Sequence, residues 1–325
     1  MSRSTPLCPV PFSLAISLLL AAAAVPSEPA RIELKRDDAQ GQLHVLLDGR
    51  EALVYRYGSD VDLPHYFPVR SPSGKPMTVQ QTEPYPHHRS LWFADTVQLE
   101  GRRKASFYMA LYSRADAKDP KSPFRDRVRH VEFLPDRVEN GQAEIGTKLV
   151  WEMDGNVPVL DELRRVRIVA LGQGEYFLDM TFTLTAAYGD VHFVSDATHY
   201  AWPYVRMCPE FSVAQGGKIV NSEGGVDQAG TNGKPARWVD YSNAVGGETE
   251  GLAVFSHAED GQPRLWLTRD YGTFGPRRDE ARNGKPFTVK QGESIAQRVG
   301  ILVHRGDATS GRVAQRYQQY LDGKL

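Results

Sequence analysis

The fold class is decided by residues 164–184, which read RRVRIVALGQGEYFLDMTFTL. Apolar and polar side chains alternate in 164–170 and again in 176–184, and Gly172-Gln173-Gly174 lies between the two runs. Successive side chains of a β-strand point to opposite faces, so alternation of this kind indicates strands with one buried face. The segment therefore predicts two strands of a β-sheet.

Runs of the same type recur along the chain. Gly, Pro, Asn and Asp clusters separate them at spacings typical of all-β proteins. The further predicted strands are 31–35, 42–47, 52–57, 106–111, 128–133, 146–153, 251–255, 286–290 and 297–304.

Helical periodicity is almost absent, with one exception near the end of the chain. Residues 313–321 predict a short helix that Thr309 or Ser310 could cap and that stops before Gly323. The pattern predicts an all-β fold, a single large antiparallel β-sandwich over residues 31–325 with a short C-terminal helix. The Gly-rich stretch 216–233 can be interpreted in two ways, as a domain boundary or as a long loop over a cleft.

The first thirty residues have the pattern of an export signal. Arg3 precedes an apolar run over 12–25, and small residues offer cleavage sites between 24 and 30. The run is shorter than the roughly 20 residues that span a bilayer, which disfavours an uncleaved anchor. We therefore expect a periplasmic or extracellular protein, in which Cys208 alone would remain and could form no internal disulfide.

The charge distribution excludes some classes of partner. Thirty-nine basic and forty acidic residues give a net charge of −1, and the two signs are interspersed. Such a chain has no field that favours nucleic acid or an anionic membrane. We expect a small molecule or an oligosaccharide as the substrate, and no integral membrane segment after the signal.

One segment concentrates imidazole and guanidinium groups beside proline-fixed backbone. His87, His88 and Arg89 follow Pro86, and His65 and Arg70 lie shortly upstream. In a strand, His87 and Arg89 would share one face and His88 would point to the other, unless the chain is still turning at Pro86. An interpretation as capping or turn residues remains open beside the functional one.

Three further segments mix aromatic rings with charged or hydrogen-bonding groups. Such mixtures suit sugars, whose C–H faces stack on rings while their hydroxyls need donors and acceptors. Each segment can also be interpreted as ordinary strand, turn or loop. Their candidate residues are His199 and Trp202; His257, Arg269, Asp270 and Tyr271; and Glu223, Arg237 and Trp238.

The sequence lacks the motifs of several common enzyme classes. The sequence has no H-E-x-x-H, no cysteine cluster, no G-x-S-x-G, no G-x-G-x-x-G and no P-loop. Serine hydrolysis on an α/β sheet, dinucleotide binding and NTP chemistry are therefore disfavoured. No cofactor is predicted, although histidines from different strands could still converge on a divalent metal.

Several of these pieces, taken in order, resemble the PmoA-like secreted bacterial proteins, a family without assigned function. The resemblance covers most of the chain after the signal and is most specific at HHRSLWF (87–93) and ARWVDY (236–241); the other pieces are 68–76, 160–164, 220–224 and 269–272. It implies a β-sandwich of the galactose-mutarotase type in carbohydrate-degrading bacteria. The methane oxidation in the family's label needs several membrane helices, and the sequence has no such segment. His199 and Tyr200 depart from the pattern, because relatives carry an acidic side chain there.

These observations predict an exported carbohydrate-active enzyme that performs elimination, hydrolysis or epimerisation by acid–base chemistry. The alternative is a non-catalytic glycan-binding sandwich. In the enzymatic interpretation, His87 or His88 is the base, Arg89 and Arg269 stabilise an anion, Asp270 orients an imidazole, and Tyr271 or His199 is the acid. The predicted catalytic residues are His87, His88, Arg89, His199, His257, Arg269, Asp270 and Tyr271. The predicted substrate-binding residues are His65, Arg70, Trp92, Trp202, Glu223, Arg237 and Trp238.

Overall fold

A computed structural model describes Met1 and residues 30–194, 201–258, 261–278 and 286–325. The predicted export signal therefore lies almost wholly outside the described residues and stays a prediction. Within the described ranges, no helix is long and apolar enough to cross a membrane.

The described residues form strands that we number in chain order. The first eleven are β1 (Ile32–Asp37), β2 (Gln42–Leu47), β3 (Arg50–Arg56), β4 (His65–Val69), β5 (Leu91–Trp92), β6 (Thr96–Leu99), β7 (Lys104–Ser106), β8 (Arg127–Phe133), β9 (Arg137–Glu139), β10 (Gln142–Met153) and β11 (Val157–Gly172). The others are β12 (Glu175–Thr185), β13 (Val191–Phe193), β14 (Tyr204–Arg206), β15 (Lys218–Asn221), β16 (Pro235–Ala236), β17 (Trp238–Val245), β18 (Glu248–Ser256), β19 (Arg264–Thr268), β20 (Thr273–Pro276), β21 (Phe287–Val289) and β22 (Ser294–Arg305).

Short helices connect some of these strands. The α-helices are α1 (Asp227–Thr231) and α2 (Val313–Leu321), and the 3-10 helices are Phe107–Tyr112, Pro209–Phe211 and Val213–Gln215.

The strands form three antiparallel sheets. The first sheet has the order β1-β2-β3-β4-β5-β14-β20-β19-β16. The second sheet has the order β15-β17-β18-β22-β12-β11-β10-β8, with β9 paired to β10. A small sheet of four strands, β21-β13-β6-β7, completes the fold.

The two large sheets pack face to face and enclose the core. Along β12, Leu178, Met180 and Phe182 are buried in the main hydrophobic cluster, as the alternation in the sequence predicts. Phe182 stacks on Phe93, which follows β5 of the first sheet, with ring centroids 4.4 Å apart. The predicted fold class, a large antiparallel β-sandwich, is confirmed.

The predicted C-terminal helix is also confirmed, and α2 covers the outer face of the second sheet. Tyr320 packs on Phe177, with ring centroids 5.3 Å apart. The predicted cap is wrong: Arg312 is the residue before the helix, has a left-handed backbone with φ of 55°, and makes no capping side-chain bond. Ser310 instead donates its hydroxyl to Asp307.

Two other sequence predictions need correction or completion. Residues 106–111 are not a strand, because the chain leaves β7 at Ser106 and forms the 3-10 helix Phe107–Tyr112. Residues 216–233 are not a plain loop, since they contribute β15 to the second sheet and the short helix α1.

Candidate functional site

A cleft of about 740 Å³ opens where the first sheet meets the small sheet. The loop before β5, the strands β6 and β7, the 3-10 helix Phe107–Tyr112, and the β14, β19 and β20 region each supply part of its wall. Among the described residues, the cleft is lined by Tyr85, His87, His88, Thr96, Lys104, Ser106, Tyr108, Met109, Tyr204, Leu267, Arg269, Tyr271 and Thr273.

A tight turn places both adjacent histidines in this cleft. The His88 amide donates to the Tyr85 carbonyl at 2.9 Å, and the Gln81 amide donates to the His88 carbonyl at 3.0 Å. The chain is therefore still turning after Pro86, and the two rings do not point to opposite faces of a strand. The imidazoles of His87 and His88 approach to 4.6 Å between centroids, edge to face.

His88 forms a hydrogen-bonded pair with Tyr108. Its Nε2 lies 2.9 Å from the Tyr108 hydroxyl, and its Nδ1 lies 3.4 Å from Thr273 Oγ1. Burial, followed by electrostatic interaction with the neighbouring His87 and with the Arg206 charge, lowers the pKa of His88 to about 3. The ring is therefore neutral near neutral pH, and a neutral imidazole can accept a proton at one nitrogen and donate at the other.

His87 is half-buried beside this pair. Its ring centroid lies 5.1 Å from that of Tyr108, and within the described chain its Nδ1 has no hydrogen-bond partner. Burial, with a smaller contribution from the Arg89 charge, lowers the pKa of His87. Its ring is thus a neutral group in the wall of the cleft, and the unpartnered Nδ1 is buried.

Aromatic rings form much of the wall and its support. Tyr85 stacks on His88 with centroids 4.9 Å apart, and the Tyr85 ring contacts that of Tyr271 with centroids 5.2 Å apart. Tyr204 stacks on the buried Trp92 at 4.8 Å. Faces of this kind can hold the apolar side of a ring-shaped ligand while hydroxyls and amines contact its polar groups.

The charged residues among the described lining are cations. Lys104 and Arg269 both line the cleft, and Arg269 donates to Asn232 Oδ1 at 2.7 Å and to the Thr268 carbonyl at 3.0 Å. Both of these acceptors are neutral, so they fix the guanidinium without cancelling its charge.

Most of the described sequence matches one protein family, over residues 42–318. The chain belongs to DUF6807, a family of unknown function. No curated protein matches this DUF6807 chain. The resemblance to the PmoA-like proteins stays a prediction.

Solved structures give weak similarities. The GH36 α-galactosidase AgaB from Geobacillus stearothermophilus has a TM-score of 0.44 at 9% identity, over 85% of this chain and 41% of that one. Galactose 1-epimerase from Lactobacillus acidophilus NCFM has a TM-score of 0.38 at 10% identity, over 86% of this chain and 100% of that one. The DUF6807 chain thus spans about two fifths of the α-galactosidase. At such scores the chemistry of the cleft has to be argued from its own residues.

Four of the predicted site residues meet in the cleft of the DUF6807 chain. They come from two segments distant in sequence and are His87, His88, Arg269 and Tyr271. His199 lies outside the described residues.

The other predicted catalytic residues lie elsewhere. Arg89 is buried against Asp62, with its Nε 3.0 Å from Asp62 Oδ1. Asp270 accepts a bond from the Gln228 amide at 2.8 Å. His257 lies beside α2, with its ring 5.7 Å from that of Tyr320.

The predicted substrate-binding residues also lie outside the lining. They contact other parts of the protein: His65 bonds to Leu63 and Gln80, Arg70 pairs with Glu51, Trp92 stacks under Tyr204, Trp202 donates to Asp95, Glu223 pairs with Arg237, and Trp238 packs in the cluster beneath α2.

Sequence reasoning missed Tyr108, Tyr85 and Lys104. Tyr108 was hidden in a run predicted as a strand, and Tyr85 had no assigned role inside the proline-rich segment.

In the described portion of the chain, no three His, Cys, Asp or Glu side chains are close enough to hold a metal ion.

Proposed function

We propose that this cleft is the active site of a carbohydrate-active enzyme that transfers protons with imidazole and phenol groups. The proposal depends chiefly on one observation, the 2.9 Å contact between His88 Nε2 and the Tyr108 hydroxyl in the wall of the cleft. A proton donor or acceptor must be within hydrogen-bond reach of its partner, and this pair meets that requirement before any ligand binds. We also propose that the protein is exported, on the pattern of its first thirty residues.

The composition of the wall supports a sugar as the ligand. Tyr85 and Tyr271 supply ring faces, whereas Ser106, Lys104 and Arg269 supply a hydroxyl and nitrogen donors. A sugar needs both, because its C–H face is apolar and each hydroxyl must exchange its bonds to water for bonds to the protein.

The proton-transfer groups favour elimination among the reactions that the sequence suggests. In elimination, one group removes a proton from carbon and another protonates the departing oxygen. His87, whose neutral ring lines the cleft, is suited to be the base, and Tyr108, supported by His88, is suited to be the acid. Hydrolysis by glycosidases typically uses two carboxylates, and the charged groups of the described lining are Lys104 and Arg269.

The lowered pKa values predict the acid side of the activity profile. Both imidazoles stay neutral below the ordinary histidine pKa of about 6.5, because burial disfavours their charged forms. We therefore expect kcat/KM to hold on acidification through about pH 6.5 and to fall only at lower pH. The measurement is kcat/KM against pH with a saccharide substrate. An acid limb centred at or above about pH 6.5 would contradict neutral, buried histidines.

The decisive experiment separates turnover from binding. We expect His87→Ala and His88→Ala each to lower kcat on an oligosaccharide panel by about 10²-fold while Kd changes little. The loss lies at the lower end of the range for acid–base groups because the neighbouring ring can partly substitute. His44→Ala is the matched control, since His44 pairs with Glu51 outside the cleft.

The products identify the reaction. Release of reducing ends with new ultraviolet absorbance indicates elimination, and release without that absorbance indicates hydrolysis. Two results would indicate a glycan-binding protein instead of an enzyme. One is a set of variants that weaken binding in proportion to activity, and the other is a wild-type protein that binds saccharides without converting any.

A further inference from the structure

We infer that the saccharide bound in this cleft carries a carboxylate, as a uronic acid does, and that Lys104 and Arg269 receive it. The inference rests on the proposed function and names the substrate class of the same site. It is carried by a set of cations around the cleft whose described partners are neutral.

The two cations of the lining are available to a ligand. Arg269 uses Nη1 for Asn232 and the Thr268 carbonyl, and a guanidinium has five N–H donors in a planar fork. The remaining donors match the two oxygens of a carboxylate. Lys104 adds a second positive charge from β7, on another wall of the same cleft.

A third cation lies directly behind the wall. Arg206 is buried, with 4% of its surface exposed, and its guanidinium lies over the Tyr271 ring at 4.5 Å. Its Nη1 donates to the Tyr271 carbonyl at 2.7 Å and to Thr273 Oγ1 at 3.4 Å, and both residues line the cleft. Its Nε has no hydrogen-bond partner among the described residues.

Arg206 differs in this respect from three other buried arginines. Arg89 has Asp62, Arg164 has Glu162 and Arg278 has Asp95 as a carboxylate partner. A buried charge is costly unless a counter-charge compensates it. The polar partners of Arg206 in the described chain are a carbonyl and a hydroxyl, so an anion in the cleft would supply the missing counter-charge.

A fourth cation strengthens the field. Arg277 is half-buried, and burial together with the positive charge of Arg269 lowers its pKa. Arg269 and Arg277 are thus close enough to repel each other. The net charge of the whole protein is −1, so these cations do not reflect an overall positive charge. A cleft lined by one sign of charge attracts ligands of the opposite sign.

A carboxylate also makes the proposed elimination feasible. The hydrogen on the carbon next to a carboxylate becomes more acidic when cations neutralise the carboxylate and stabilise the enolate-like charge. His87 takes this proton, the C–H electron pair becomes a C=C bond, the C–O bond to the neighbouring sugar breaks, and Tyr108 protonates the departing oxygen. The products are an unsaturated uronate and a shortened saccharide, and no oxidant or reductant is needed.

The test compares matched substrates. A panel of hexuronate oligosaccharides of both anomeric linkages is assayed beside the same panel after reduction of its carboxyl groups to alcohols, and beside neutral oligosaccharides carrying a sulfate ester. We expect the acidic panel to bind and react, and carboxyl reduction to lower kcat/KM by at least about 10²-fold, because the charged donors of the cleft would be left without the carboxylate that they bind. Arg269→Gln and Lys104→Gln should each weaken binding of the uronate by about tenfold.

Matched controls use exposed cations outside the cleft. Arg137→Gln and Lys148→Gln each remove one positive charge from a surface ion pair, with Glu139 and Glu132 respectively, and should leave uronate binding unchanged. Equal losses in these controls would mean that overall charge, not the cleft, attracts the ligand.

The outcomes separate this inference from the proposed function. Equal turnover of the acidic and reduced panels would overturn the inference of a carboxylate and leave the proposed enzymatic function intact. Tight binding of the uronate with no turnover would support the carboxylate and overturn the proposed enzymatic function. Preference for the sulfated neutral sugars would overturn the carboxylate in favour of another anion. Failure of every saccharide to bind would overturn both.

Discussion

The Tyr108→Phe protein is expected to lose about 10³-fold of its kcat on a saccharide substrate, with its Kd nearly unchanged. Phenylalanine keeps the ring that packs beside His87 and Tyr204, with centroids 5.1 Å and 5.2 Å away. The substitution removes the hydroxyl that lies 2.9 Å from His88 Nε2. In the proposed mechanism this oxygen delivers the proton to the leaving group, and phenylalanine has no atom that could do so.

The expected loss is larger than for either histidine variant. The ring centroids of His87 and His88 lie 4.6 Å apart, so either imidazole can partly replace the other. In the Tyr108–His88 pair, by contrast, the Tyr108 hydroxyl is the proposed acid and has no second phenol to replace it. Steady-state kinetics measure kcat, and calorimetric titration with a slowly converted saccharide measures Kd. Tyr188→Phe is the control, because Tyr188 is exposed and bonds to Asp161 outside the cleft.

Two results would contradict the role of Tyr108. An unchanged kcat would remove the phenol from proton transfer. A loss of binding as large as the loss of turnover would make Tyr108 a contact for the sugar only. Thermal unfolding of the variant excludes a trivial cause, since a single hydroxyl in a preserved ring should change stability by only about 1 kcal/mol.

The sequence predicted the large sheets well, because their strands carry their own pattern. In β12, alternate residues from Tyr176 to Leu184 face the other sheet, whereas Phe177 faces α2. The alternation in this run therefore reflects the different surroundings of the two faces of the strand. The same reasoning misassigned Phe107–Tyr112, in which Phe107, Tyr108 and Ala110 are buried without being in a strand. A short apolar run cannot distinguish a strand from a tight helix.

The site depends on strands too short to leave such a pattern. Arg206 is paired with Thr273 across β14 and β20, and Tyr204 with Trp92 across β14 and β5. Each of these strands has two to four residues. Pairing between segments far apart in sequence comes from the packing of the whole sandwich and could not be deduced locally. It brings Arg269 and Tyr271 to the cleft that His87 and His88 line.

Arg89 shows the limit of composition as a guide to function. Its position beside two histidines suggested a catalytic group, but its partner Asp62 lies 27 residues upstream. Both side chains are buried. The sequence reveals which residues are charged, but only the fold reveals which charges are already compensated.

This contrast predicts opposite behaviour for two buried arginines. We expect Arg89→Met to lower the free energy of unfolding by about 3–5 kcal/mol, because Asp62 would be left buried without a counter-charge. Arg206→Met should change it by only about 1 kcal/mol, since it removes hydrogen bonds to a carbonyl and a hydroxyl and also removes an uncompensated charge. Urea unfolding of the two variants and the wild-type protein measures both values.

Binding should show the reverse order. Arg206→Met should weaken binding of a uronate about tenfold, since the positive charge behind Tyr271 and Thr273 is lost from the field in the cleft. Arg89→Met, measured well below its unfolding temperature, should bind the uronate nearly as well as the wild-type protein. The Asp62→Asn/Arg89→Met double variant should recover much of the lost stability, because it removes the buried carboxylate charge along with the guanidinium.

The pair of variants tests the distinction between a structural and a functional charge. An Arg206→Met protein that unfolds as readily as Arg89→Met would mean that the Arg206 charge is already compensated within the folded chain. The argument for an anionic substrate would then depend on the remaining cations, chiefly Lys104 and Arg269. A stable Arg206→Met protein with weakened uronate binding would show that the fold tolerates an unpaired buried charge because the ligand, when bound, provides its partner.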